Sequence, residues 1–546
     1  MPELNKPWLS YYDAEVPPAL SYPELPLFAL LDEAAERWPH RLALVCPGVA
    51  ISYAQLRALT DAWAAGLAGL GLEPGDRAAL LLPNLPQFVV GFYGALKAGL
   101  VVAPLNPAYK ESELASYLAL TGARCLLAQT AALPMVENAL LQTQVTRLIV
   151  TAPEDARMLA RWPDVTAGPL PAAGPLGFVD VLGTGAARRP PVAVSADAPA
   201  LLAATGGTTG APKVALGMHR SLVANTVQFR QWAAPWAEGS EVMAAALPLF
   251  HLFGLIVAMS VGVKIGATLL LVADSRDTST LAAALAEHKA TLLPAVPAIF
   301  QALSRQATAA QLRSLRWAIS GAAALPASVK AAFEALSGAR LVEGYGLTEA
   351  MVVTHCNPLR GENRPASIGL PLPGVEAQVV RLDADSCPQL PGALGELVVR
   401  GPALMDGYFA HPEETALTLR GGWLHTGDVA RMDADGYFYV VDRLKDMIKV
   451  GGLQVWPHDV EEAIEALPQV AEAAVAGVPH PEHGEMVKAW VVLKPGQTLT
   501  AVEVRAWCQQ RLALFKAPRE VEFVTHLPRS AAGKVLRREL VQPRPG

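Results

Sequence analysis

The chain has 546 residues, too many for one hydrophobic core, and 52% hydrophobic against 17% charged residues is a densely cored globular composition, not a disordered one. A formal net charge of −6 gives no basic stripe for nucleic acid or an anionic membrane, so no nucleic-acid partner is expected and any anionic ligand must be held locally. The five cysteines, Cys46, Cys125, Cys356, Cys387 and Cys508, are scattered without CxxC spacing, which speaks against a disulfide framework or zinc site and for a reducing, cytoplasmic setting.

In chain order, residues 1–17 mix acidic residues, prolines and aromatics and do not read as a secretory leader. Helical patterns at 27–38 and 53–70 then alternate with apolar runs at 78–82, 99–104 and 124–127, the signature of stacked α/β layers. Two more α/β stretches follow, at 203–272 and 291–344. The most apolar window, 252–263, lies between His251 and Lys264. It falls short of the ~18 residues of a membrane span and predicts a buried helix.

From 367 to 441 the runs are short, β-rich and broken by Gly and Pro, which predicts a small β subdomain closing the large domain. Within it Met432-Asp-Ala-Asp-Gly436 predicts a hairpin. A calcium loop would need a terminal Glu where the chain has Leu444. Pro457 opens a helical pattern through Val460, Ile464 and Leu467, followed by strands at 473–478 and 489–493, a helix at 501–512 and a basic tail. The expected architecture is α/β and multidomain: a large N-terminal domain, 1–442, of two α/β layered subdomains plus a small β subdomain, then a small, mobile α+β domain, 443–546. His480-Pro-Glu-His483 reads as a polar turn between strands and not as a metal site.

One loop carries a chemical signal. Thr205-Gly206-Gly207-Thr208-Thr209-Gly210-Ala-Pro-Lys213 follows an apolar run, 198–204, as a loop follows a buried strand. Its backbone N–H groups and hydroxyls can cradle a polyphosphate, with Lys213 as a cation. Pro212 precedes the lysine and Val214 follows it, so this is not a Walker A loop. A flexible Gly/Thr linker has the same composition, and the remaining motifs decide between the two.

Those motifs are Pro248-Leu-Phe-His251, Gly344-Tyr-Gly-Leu-Thr-Glu349, Trp423-Leu-His-Thr-Gly-Asp428, Asp442-Arg-Leu-Lys-Asp446 continuing through Gly452, and Pro528-Arg-Ser-Ala-Ala-Gly-Lys534. In this order the set resembles the adenylate-forming superfamily of acyl-CoA synthetases, amino-acid adenylation domains and beetle luciferases, over nearly the whole chain. The loop variant, the early Trp8-Leu-Ser-Tyr-Tyr-Asp segment and Gly422-Trp-Leu-His-Thr-Gly-Asp428 are most similar to bacterial long-chain fatty acid CoA ligases.

The resemblance implies ATP-dependent conversion of a fatty acid to an acyl adenylate, then to its coenzyme A thioester, with ATP, Mg²⁺ and coenzyme A as small-molecule partners. It implies that Glu349 holds Mg²⁺ against the phosphates and that Thr348 contacts the α-phosphate. Gly321, Ala322 and Ala323 with Gly344, Tyr345 and Gly346 would flank the adenine. Asp428 would accept the ribose hydroxyls, with Arg443 as a second sugar or phosphate contact. Lys534 would be the catalytic lysine of adenylation, Lys445 the hinge, and Lys449 and Gly452 part of the segment used in the second step.

His251 resembles an aromatic gate to the acyl pocket, though a lone His in an apolar stretch is more often a core residue. The run 251–260 holds no carboxylate to pair an α-ammonium group, which disfavours amino acids. Ala245, Ala246, Gly254, Ala258 and 321–324 leave room for an alkyl tail. A medium-chain or aryl acid, transfer to a carrier protein, and an inactive nucleotide-binding homologue stay open as alternatives. So do monomer against homodimer and peripheral contact with the inner membrane face.

Overall fold

The computed structural model describes residues 6–164, 168, 170–171, 174–185, 192–205, 213–382, 387–480, 484–529 and 535–541. By its internal contacts the chain forms two compact units, the first of residues 1–376 and 399–424, the second of 377–398 and 425–546. This division runs through the β-rich stretch instead of following it.

Two large sheets build the first unit. The nine-stranded sheet has six parallel strands at its centre, in the order Arg340–Leu347, Trp317–Ser320, Leu292–Ala295, Val242–Ala245, Thr268–Leu271 and Leu42–Cys46. Antiparallel strands close both edges, Val352–Cys356 with Leu370–Pro371 on one side and Val49–Ser52 on the other. In the eight-stranded sheet, Pro199–Thr205, Val101–Pro104, Arg77–Leu81, Cys125–Gln129, Arg147–Thr151 and Leu176–Gly177 run parallel. Lys213–Met218 and Gly407–Tyr408 then add antiparallel strands beside Pro199–Thr205.

The inner strands are short, apolar and buried on both faces, which is why the sequence shows them as contiguous runs without alternation. Pro86–Lys97 is buried on every side and is correspondingly apolar all round. At Gly94 a Cβ would stand 2.6 Å from the Trp63 ring, so glycine is required where this helix meets Tyr53–Gly69. The window 252–263 is helical and buried as expected, but Phe253–Ser260 is a π-helix that passes into an α-turn at Val261–Lys264. Ser260 caps its wide turn by donating to the Leu255 carbonyl at 2.9 Å.

A small five-stranded sheet of Glu376–Val380, Gly395–Arg400, Leu419–Arg420, Trp423–Met432 and Phe438–Arg443 has most of its residues in the second unit. The hairpin read at 432–436 joins the last two strands. Gly436 takes φ 90° there, and Asp433 accepts the backbone N–H groups of Asp435 and Tyr437. Another sheet, Leu453–Val455, Ile448–Val450, Gly484–Leu493, Val470–His480 and a parallel Glu520–Phe523, packs against the helices Pro457–Glu465 and Ala501–Gln509 around Val460, Ile464, Val475 and Val504. Of the segment read as a polar turn, residues 481–483 lie outside the described ones.

Candidate active site

Gly206, Gly207, Thr208, Thr209, Gly210 and Lys534 lie outside the described residues. The ends of the Gly/Thr loop are described. Thr205 pairs with Lys213 across the hairpin, and its hydroxyl donates to the Lys213 carbonyl at 3.2 Å. The loop is therefore closed at its base by two strands of a buried sheet.

Thr348 and Glu349 occupy a short 3₁₀ turn directly after the strand Arg340–Leu347. The chain then reverses sharply, with φ 49° at Met351 and φ 114° at Val352, the latter a strained backbone for a β-branched residue. Gly346 makes the reversal possible, because a Cβ there would fall 1.4 Å from the Val352 carbonyl oxygen. The Glu349 backbone carbonyl accepts from Met405, and its carboxylate Oε1 accepts the Tyr408 hydroxyl at 2.8 Å. Burial, then the adjacent Glu349 charge, raises the Tyr408 phenol above its usual range, so it stays a donor. The Lys213 ammonium lies 5.2 Å from the centre of the same ring and 3.7 Å from Glu414.

A cleft opens beside this reversal, with about 400 Å³ of empty space that includes open solvent. His251, Gly321, Ala322, Gly344, Tyr345 and Gly346 line it, joined by Phe229 and Phe253. Ala322 adopts φ 68°, and a Cβ on Gly321 would come within 2.9 Å of the Phe253 ring. The Tyr345 ring meets His355 edge-on at 5.9 Å, which fixes the orientation of its face. His251 Nδ1 accepts the Phe253 N–H at 3.3 Å, so the imidazole is tied to the start of the π-helix. Ala323 lies next to Ala322 and is half-buried.

In the second unit Asp428 is buried on the strand Trp423–Met432. It pairs in register with Arg443, whose Nε donates to Asp428 Oδ1 at 2.8 Å. The turn before it is held by one carboxylate, because Glu396 Oε2 lies 2.8 Å from His425 Nδ1 while its Oε1 accepts the Gly427 N–H at 3.0 Å. Thr426 donates to the Leu397 carbonyl and accepts the Asp428 N–H. Lys445 sits in the 3₁₀ turn Leu444–Asp446. Lys449 is exposed on Ile448–Val450, its backbone N–H given to Glu485, and Gly452 takes φ 85° in the tight turn that follows. Downstream of Lys534, Arg537 forms a two-pronged pair with Glu461 and reaches Asp446.

Sequence reading missed Tyr408, Glu414, Phe229, Phe253 and the Glu396–His425 pair. Gly407-Tyr408 followed by His411-Pro412 is a turn-like signal in an unremarkable position, and the two phenylalanines look like ordinary core. Among the described residues no group of three His, Cys, Asp or Glu gathers to hold a metal, and no helix is long and apolar enough to cross a membrane.

A Gly/Thr loop whose two ends are strand-paired, a carboxylate at a sharp reversal and a glycine-walled cleft thus lie in the first unit. Residues 31–409 match the family described as AMP-binding enzyme, and 459–534 match the AMP-binding enzyme C-terminal domain. The chain belongs to this family of adenylate-forming enzymes. It is 37% identical to a long-chain-fatty-acid–CoA ligase of Bacillus subtilis, with 98% of each chain covered. Among solved structures it resembles ATP-bound MatB from Rhodopseudomonas palustris, with a TM-score of 0.85 and 29% identity over 95% of this chain and 98% of that one. It also resembles a Mycobacterium tuberculosis fatty acyl CoA synthetase, with a TM-score of 0.73 and 28% identity over 94% and 97% of the two chains.

Proposed function

We propose that the chain is an AMP-forming acid–thiol ligase that activates a long-chain fatty acid and transfers it to coenzyme A. The observation that carries this reading is the similarity to a long-chain-fatty-acid–CoA ligase along 98% of both chains. In the first step a carboxylate oxygen attacks the α-phosphorus of ATP and the bond to pyrophosphate breaks, leaving a mixed anhydride. In the second the thiol sulfur of coenzyme A, its proton lost, attacks the acyl carbon and AMP departs.

The roles are those the family resemblance implies, and the residue chemistry suits them. The loop 205–210 with Lys213 holds the polyphosphate, and Thr348 donates to the α-phosphate. Tyr345, between Gly344 and Gly346 and opposite Gly321, Ala322 and Ala323, offers its face to the adenine. Asp428 accepts both ribose hydroxyls, with Arg443 keeping its carboxylate oriented. Lys534 neutralises charge as it builds between carboxylate and α-phosphate. Lys445 is the hinge, and residues 1–442 act as the binding domain for nucleotide and acid, with 443–546 as the moving part. Lys449 and Gly452 belong to the second step, and His251 gates the acyl chain.

Mg²⁺ fits Glu349. This ion takes one or two carboxylates and leaves the rest of its shell to phosphate and water, and Glu349 is a single carboxylate with one oxygen already oriented by Tyr408. When bound, it offsets phosphate charge.

The test is pyrophosphate release across saturated and aryl acids, each with and without coenzyme A. Each buried methylene contributes about 0.8 kcal/mol, so kcat/KM should rise about tenfold for every two carbons until the pocket ends. Thioester should form only with coenzyme A. A preference for aryl acids, or turnover only with a carrier protein, would overturn the assignment.

A further inference from the structure

Tyr408 joins two groups that the sequence motifs treat separately, the loop lysine and the Glu349 carboxylate. Its placement is fixed from both sides. Tyr408 pairs with Ala215 across an antiparallel ladder, two residues beyond Lys213, and the neighbouring Phe409 N–H binds the Val214 carbonyl at 2.9 Å. From the other side, the Tyr408 N–H is given to Thr415 Oγ1 at 2.8 Å, in the short helix Pro412–Thr418 that also carries Glu414. A Cβ at Gly407 would run into Thr415, so strand and helix meet with no slack.

The phenol is thus held rigidly with two jobs. Its hydroxyl donates to Glu349 Oε1, and its face lies 5.2 Å from the Lys213 ammonium. A hydrogen bond to one oxygen fixes the plane of a carboxylate and leaves the second oxygen to a hard cation. An aromatic face attracts an ammonium without neutralising it, so the lysine keeps its charge for an anion. Glu414 supplies an anion from within the chain, with Oε1 3.7 Å from Lys213 and Oε2 3.4 Å from His411 Nδ1. A pair this long between groups about one-third exposed is weak and can be displaced by a phosphate.

We propose that Tyr408 is a positioning residue of the nucleotide-phosphate site, setting Glu349 for a divalent cation and Lys213 for phosphate, and that Glu414 is an internal anion that ATP displaces from Lys213. The inference rests on the Glu349 and Lys213 roles given above and adds to them two residues outside the recognised motifs. It makes predictions of opposite sign for two neighbours, which simple loss of packing would not.

The experiment is calorimetric titration of the full chain with ATP, without acid or coenzyme A, over a series of Mg²⁺ concentrations. Tyr408→Phe should raise the Mg²⁺ concentration for half-maximal ATP binding about fivefold, the size expected for one lost hydrogen bond. Glu414→Gln should tighten ATP about two- to threefold at every Mg²⁺ concentration, within the range of an exposed ion pair. Glu349→Gln is the reference and should abolish the Mg²⁺ dependence. If it does so while Tyr408→Phe leaves that dependence unmoved, or weakens ATP equally with and without Mg²⁺, the positioning role is overturned and the Glu349 assignment stands. Unchanged or weaker ATP binding by Glu414→Gln overturns the displaced-anion role. If Glu349→Gln keeps the Mg²⁺ dependence, the site assignment itself is wrong.

Discussion

Glu343 is a buried carboxyl next in sequence to the glycine-walled cleft. It immediately precedes Gly344, is nearly fully buried, and its Oε1 accepts the Leu325 N–H. Burial pushes its carboxyl up from 4.5 to about 8, against the opposing pull of that N–H and of Lys330. The folded chain therefore keeps a proton here that the unfolded chain has already released between pH 4.5 and about 8. Since the native state binds the extra proton, stability is fully present below 4.5 and is lost as the pH rises through 8. Glu343→Gln keeps the shape and removes the ionisation. Thermal unfolding from pH 5 to pH 9 should show a variant with a flatter profile and a higher midpoint at the alkaline end. Parallel profiles would mean that the carboxyl is already ionised in the native chain. Asp442 and Glu465 are also raised by burial and tilt the profile the same way, so the difference between the two proteins is the quantity to read.

At the scale of elements, the π-helix Phe253–Ser260 owes its place to Gly254. A Cβ at that position would lie 2.3 Å from the Pro248 carbonyl oxygen, so the glycine admits backbone and not an alkyl chain. Gly254→Ala must push the π-helix from the turn that carries His251, and overpacking of this kind costs about 1–3 kcal/mol. Gly69→Ala is the matched control, since no atom lies within 4 Å of its Cβ and the change only restricts the unfolded chain. Thermal unfolding should show the first variant clearly destabilised and the second slightly stabilised. The same element marks how far sequence reading reaches. An apolar window reports burial faithfully, because burial is what selects its composition. The wide turn closed by Ser260 onto Leu255 depends on that backbone approach, which no periodicity reveals. Parallel strands were legible for the opposite reason: buried on both faces, they could only be written as unbroken apolar runs. Motifs rich in Gly, Thr and charged residues carried the family resemblance, since few other structures need them. Tyr408 was not, because its partner Glu349 is 59 residues away and only the sheet edge brings the two together.

The whole molecule must carry out two reactions on one carboxyl group, the first at the α-phosphorus and the second at the acyl carbon, with different helpers, and this sets the last prediction. Adenylation builds negative charge between a carboxylate and the α-phosphate, where a lysine is of most use. Thioester formation starts from an anhydride already made, and needs entry of a thiol more than another cation. Lys534→Ala should therefore lower acid-dependent exchange of labelled pyrophosphate into ATP by at least about 100-fold. It should leave thioester formation from supplied acyl adenylate largely intact. Lys445→Pro tests the complementary step. Proline fixes φ near −65°, so a hinge at this position can no longer turn, and thioester formation should fall while pyrophosphate exchange persists. The two variants must fail in opposite halves of the reaction. If Lys534→Ala loses both halves equally, the lysine is not specific to adenylation, and if Lys445→Pro keeps the full overall rate, the hinge lies elsewhere.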